Sequence, residues 1–173
     1  MNTRTSGRVT YITLCAHYTK QRKHLMQTDH VVDNNGVTIR VTQLHSGHPQ
    51  ATPLVVIPGM IESADDYAEH LTDKFLLDVF IIDLRGRGKS DTPETGYSFA
   101  DQGTDLDAVI RWLDIPKVVL MGFSTGGAFA LAHTLDHPED VSKLIIVDFP
   151  PHYPTFTDSW ADDVLHIETN RMS

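Results

Sequence analysis

The stretch from Lys117 to Gly127, KVVLMGFSTGG, constrains this chain more than any other. Val118, Val119, Leu120 and Met121 predict a strand buried on both faces, since a strand with one wet face would alternate apolar and polar residues. Gly122-Phe123-Ser124-Thr125-Gly126-Gly127 then turns the chain into an Ala- and Leu-bearing helix. The G-x-S-x-G spacing has a steric cause. A serine held in a strained turn projects its hydroxyl clear of the sheet, and side chains at Gly122 and Gly126 would strike the incoming helix or strand. The strand before and the helix after supply the context that separates this motif from a Ser/Gly-rich capping turn with no chemistry.

Apolar runs and helical patterns alternate around this stretch. His30 to Val32 and the alternating run Val37 to Thr42 flank Asp33-Asn34-Asn35-Gly36, whose residues tolerate positive φ, so an antiparallel hairpin is expected. Leu54 to Ile57 is a continuous apolar strand ending in Pro58-Gly59-Met60. Ser63 with Asp66 has capping-box spacing, and Ala64, Tyr67, Ala68, Leu71 and Phe75 recur at helical intervals. Val79 to Ile82 predicts another buried strand. The loop after it, Asp83 to Ser90, ends in Gly88-Lys89-Ser90, as a phosphate-binding loop does. That reading fails on spacing, because the first glycine would fall on Asp83 and Pro93 follows where a helix must start. Ser98 with Asp101 repeats the capping pattern ahead of a helical face of Leu106, Val109, Ile110 and Leu113, stopped by Pro116. After the glycines, Ala128, Leu131, Ala132 and Leu135 are expected on the buried side of a helix. His133 and His137 lie at its end, where a cation suits the helix dipole. Leu144 to Val147 predicts a further strand with Asp148 at its end, and Trp160, Val164 and Ile167 predict a helix beginning at Ser159.

In this setting GFSTGG resembles the nucleophile elbow of the α/β-hydrolase superfamily, and the resemblance runs from about Asp33 to the last residues. It looks like the serine esterase, haloperoxidase-like and perhydrolase-like members, and unlike the epoxide hydrolases and haloalkane dehalogenases, which carry Asp at the position of Ser124. The resemblance implies an α/β-hydrolase fold: a largely parallel sheet flanked by helices, with an N-terminal antiparallel hairpin, lacking the last strands and most of the lid. It makes Ser124 the nucleophile and assigns the oxyanion hole to the backbone N–H groups of Met60 and Thr125. Pro58-Gly59 stands where the family more often has His-Gly. D-x-R-G-x-G-x-S resembles the family's own loop, with structural roles for Asp83 and Arg85. Asp148 is a candidate triad acid or a structural carboxylate. The family's histidine follows a later strand, and His152 and His166 are weak substitutes for it. Two functions therefore stay open: a serine hydrolase of carboxylic ester or related acyl substrates, doubtfully active alone, and a non-catalytic remnant or interaction module. No cofactor and no metal is assigned.

Composition narrows the classes further. With 173 residues and 40% apolar content the chain supports one core. The expected organisation is a basic extension over 1–25, read as either disordered or a targeting segment, then a core over 26–154 and the start of a lid over 155–173. Five of the 14 basic residues and none of the 23 acidic ones lie in the first 25, so the remainder is strongly acidic and a poor partner for nucleic acid. The single cysteine, Cys15, forms no internal disulfide, which fits a reducing, cytoplasmic setting. No apolar run is long enough for a membrane span. The partner expected is a small acyl substrate, together with self-association if the strand from Leu144 to Val147 forms an open sheet edge.

Overall fold

The computed structural model describes residues 26–48, 50–71 and 76–149. The expected extension over 1–25 and the lid helix lie outside the described residues, as do Phe75, His152 and His166. The chain opens with a hairpin of β1 (Gln27–Asn34) and β2 (Val37–Leu44), paired antiparallel with Asn34 opposite Val37. Asn35 and Gly36 alone make the turn, with φ of 54° and 85°, the two positive values that match the twist of the flanking strands. Both strands are longer than their apolar alternation shows. Polar residues at their far ends pair across the ladder as readily as apolar ones.

Then follow β3 (Leu54–Ile57), α1 (Ala64–His70), β4 (Val79–Asp83), α2 (Phe99–Leu113), β5 (Val118–Phe123), α3 (Thr125–Asp136) and β6 (Val141–Val147). The six strands form one sheet in the order β1-β2-β4-β3-β5-β6. β2 meets β4 antiparallel, and β4, β3, β5 and β6 run parallel. Parallel neighbours need long crossovers, which the three helices supply. Both capping boxes form, Ser63 with Asp66 and Ser98 with Asp101. Alternate strand residues feed two cores. Val55, Ile57, Ile82 and Leu120 join Leu106 and Val109 of α2 and Phe129 of α3 on one face. Leu54, Val56 and Ile81 join Ala64 of α1 on the other, with Tyr67, Val119 and Met121 packed against them.

Three expectations need correction. β5 is not buried on both faces: Val118, Leu120 and Gly122 are buried, while Val119, Met121 and Phe123 are only partly covered by the side that carries α1. The buried face of α3 is Gly126, Gly127, Phe129, Ala130 and His133, not the stripe of Ala128, Leu131, Ala132 and Leu135, and Leu135 is 72% exposed. The cause is the roll of the helix. Gly126 presses so close to β3 that an added Cβ would collide with the Ile57 carbonyl. Residues i+4 and i+7 from it, Ala130 and His133, must then face inward as well. β6 begins three residues before its apolar run, at Val141, and most of it is exposed at the edge of the described sheet.

Candidate active site

The loops that matter gather at the carboxyl ends of the parallel strands, the usual ligand-binding edge of such a sheet. Ser124 bridges β5 and α3 with φ 49° and ψ −122°, outside the regions non-glycine residues ordinarily occupy. Its N–H donates to the Val147 carbonyl at 2.8 Å, tying the end of β5 to the end of β6. Although Ser124 stands at the helix N-cap, its side chain makes no capping hydrogen bond, so the hydroxyl is not committed to the helix. This separates it from Ser63 and Ser98, whose hydroxyls do cap. Gly122 and Gly126 are sterically required, since a Cβ at Gly122 would run into the Gly126 carbonyl.

The loop after β3 lies directly against this turn. A Cβ placed on Gly59 would stand 3.5 Å from Ser124 Cβ, 3.4 Å from the Phe123 ring and 2.8 Å from Glu62 Oε2. The loop is held by groups that sequence reading missed. Glu62 Oε2 accepts from the Gly59 N–H at 3.0 Å and from the Tyr67 hydroxyl at 3.1 Å. Burial, reinforced by the Glu62 carboxylate, pushes the Tyr67 phenol up, so it stays a donor. Arg87 Nε donates to the Met60 carbonyl at 2.6 Å and its Nη1 to Gln102 at 2.8 Å, linking the loop after β4 to the loop after β3. Burial pushes the Arg87 guanidinium down from its ordinary value.

Beneath these loops sit two buried ionic knots. Asp83 accepts from the Ala64 N–H at 2.6 Å, the Lys89 N–H at 3.0 Å and Arg40 Nη1 at 3.2 Å. Arg40 also meets Asp29 at 2.8 Å and Asp65 at 2.7 Å. Arg85 grips Asp105 through Nε at 2.9 Å and Nη2 at 2.7 Å, and Asn34 Nδ2 donates to the same carboxylate at 2.8 Å. Asp83 and Arg85 are therefore structural, as their motif implies. Arg40, Asp105 and Asn34 carried no signal, because a polar residue in a strand or on a helix reads as solvated until its partner's position is known.

Of the expected site residues, Ser124 and Thr125 are adjacent in the turn, and Met60 lies in the loop packed against it. The Thr125 N–H, first in its helix, has no acceptor among the described residues, as the geometry of a helix start dictates. Asp148 follows Val147, whose carbonyl holds Ser124, and has φ 54° with an exposed side chain. It reaches the neighbourhood of Ser124 through the backbone; no hydrogen bond joins their side chains. The histidines with side-chain hydrogen bonds are engaged elsewhere: His30 with Gln43, His45 with Thr28, His70 with the Asp66 carbonyl and His133 with Asp107. A cleft lined by Gln43, Pro53, Asp78 and Pro116 opens at the opposite, amino-terminal ends of the strands, remote from these groups.

Comparison with known proteins identifies the family to which this fold belongs. The family model described as alpha/beta hydrolase fold matches residues 52–169. The 2-(acetamidomethylene)succinate hydrolase of Mesorhizobium japonicum is 31% identical over 128 residues, covering 72% of this chain and 44% of that protein. The sn-1-specific diacylglycerol lipase ABHD11 of Danio rerio is 35% identical over 109 residues, covering 61% of this chain and 34% of the lipase. Among solved structures, Est816, an N-acyl homoserine lactone degrading enzyme, superposes with a TM-score of 0.64 at 27% identity, covering 81% of this chain and 55% of that one. The chain thus spans less than half the length of both relatives. A strained serine between a parallel strand and its helix, the loops gathered against it and the family match over residues 52–169 together place this chain in the α/β-hydrolase family.

Proposed function

We propose that the chain carries the acyl-transfer core of a serine hydrolase of carboxylic esters or related acyl compounds. The observation that carries this reading is the backbone at Ser124, φ 49° and ψ −122°, with its hydroxyl left out of the helix cap. Strain of this kind costs on the order of 1–3 kcal/mol and persists where surrounding packing imposes it. In the proposed reaction Ser124 Oγ attacks the acyl carbonyl as a base removes its proton, and the alcohol leaves with a proton returned by that base. The tetrahedral oxyanion is held by the N–H groups of Met60 and Thr125, and Asp148 is the candidate acid that orients the base. The base itself belongs outside the described residues. A lipase and a lactone-degrading enzyme among the similar proteins favour an acyl substrate.

The test is reaction of the protein with a fluorophosphonate ester, followed by mapping of the adduct. Labelling of Ser124, together with loss of ester hydrolysis by about six powers of ten in Ser124→Ala of a form supplying the base, is the expected outcome. A form supplying the base that folds normally but leaves Ser124 unlabelled would instead be a non-catalytic module. The 173-residue chain alone should hydrolyse activated esters feebly, since oxyanion stabilisation and binding without a full triad still give roughly a thousandfold to ten-thousandfold over water. Ordinary esterase turnover abolished by His152→Ala would overturn that expectation and make His152 the base.

A further inference from the structure

We propose that Asp107, His133 and His137 form a binding site for a divalent transition cation of the zinc type. The site is independent of the proposed reaction, because His133 lies nine residues along α3 from Ser124, about 13 Å at the helical rise. His133 and His137 are one turn apart, a spacing that puts two imidazoles on the same side of a helix end. Asp107 comes from the neighbouring helix α2 and faces them, with Oδ1 2.7 Å from His133 Nδ1. One donor atom from each of the three residues lies within 4.8 Å of the other two. A point shared by three such atoms is at most about 2.8 Å from each, so shifts under about 1 Å reach the 2.0–2.2 Å of zinc–nitrogen and zinc–oxygen bonds.

The burial and hydrogen bonding of His133 suit a cation here. Its side chain is 4% exposed, and Nε2 is buried with no hydrogen-bond partner among the described residues. A neutral ring with its proton on Nδ1 serves Asp107 but strands the Nε2 lone pair. With the proton on Nε2, the Nδ1 lone pair instead faces a carboxylate. A metal ion between Nδ1 and Asp107 takes up the Nδ1 lone pair and leaves the proton on Nε2, with Asp140 Oδ2 3.8 Å away, beyond direct hydrogen-bond reach. His137, whose ring centroid is 5.0 Å from that of His133, supplies the second imidazole. The surroundings are acidic: Asp136 lines the same cleft and Glu139 lies 3.9 Å from His137; Asp107 is influenced first by its hydrogen bond from His133 and least by Arg111. That cleft is open to solvent, which gives an ion a path in. The bound ion would staple α2 to α3.

The experiment is titration of the 173-residue chain with Zn2+ against a chromophoric chelator, and with Co2+ followed by visible absorption. One equivalent should bind, with visible cobalt bands of low-coordinate type, and Zn2+ should raise the melting temperature. His137→Ala, at a position with a 46% exposed side chain, should weaken Zn2+ at least tenfold and abolish the thermal shift, and Asp107→Asn should do the same. Replacing both His45 and His48 should change neither. Equal Zn2+ affinity in wild type and His137→Ala, or sensitivity only to His45 and His48, would overturn the proposal, as would the absence of stoichiometric binding.

Discussion

Ser124, Gly122 and Gly126 show how much of this site rests on single backbone positions. Gly126 has no room for a side chain, because the carbonyls of Ile57 and Pro58 occupy the place where its Cβ would go. Gly126→Ala should therefore lower stability by about 1–3 kcal/mol, the usual cost of overpacking, and roll α3 away from the sheet. Gly103 is the control. It lies inside α2 with nothing within 4 Å of an added Cβ, so Gly103→Ala should raise stability by roughly 0.5–1 kcal/mol. Urea unfolding of the two variants checks both signs. An equal loss at each position would mean that the close approach of Gly126 to β3 does not set the cost there.

At the level of elements, β1, β2, α1 and β4 are joined by one guanidinium. Arg40 and Asp83 have side chains 3% and 0% exposed, so removing the cation leaves a buried carboxylate uncompensated. Arg40→Met should cost about 3–5 kcal/mol, read from chemical denaturation. The same knot sets the acid limb of stability. The Arg40 hydrogen bond holds the Asp65 carboxyl below its ordinary value; at Asp29 burial pushes up, and bonds from Arg40, Gln27 and Thr42 outweigh it. A depressed carboxylate contributes stability that is complete above its unfolded value of about 4 and is lost as pH falls through the folded value. Melting temperature should thus fall below about pH 4 in the native chain, and more shallowly in Asp65→Asn. An unchanged acid limb in that variant would remove Asp65 from this account.

For the whole molecule, the described sheet has β6 as one edge, with Ile145 42% and Ile146 37% exposed. An apolar edge with free N–H and C=O groups pairs readily with other chains, and Lys143 is the one charge along this strand to discourage it. We propose that the 173-residue chain self-associates through this edge. Light scattering at micromolar concentration should show species above the monomer, reduced by Ile145→Lys. A monodisperse monomer would overturn this proposal.

Local information in the chain was enough for the order of strands and helices, both capping boxes, the Asn35-Gly36 turn and the serine turn. Each depends on residues within a few positions of one another: periodicity, a hydroxyl three residues from a carboxylate, or glycines where no Cβ fits. The family resemblance rests on the same local motifs. Three-dimensional packing decided the rest. Which side of α3 is buried follows from the approach of Gly126 to Ile57, and a run of alanine and leucine cannot reveal that contact. Asn34 meets Asp105 across 71 positions and Arg40 meets Asp83 across 43, and neither pair has a spacing that a sequence pattern can detect. Asp107 and His133, 26 residues apart, became neighbours only when α2 and α3 packed on the same face of the sheet. A local pattern reports the conformation of a segment, because its causes lie in that segment. The partner of a buried charge is set by the crossovers that bring distant segments together.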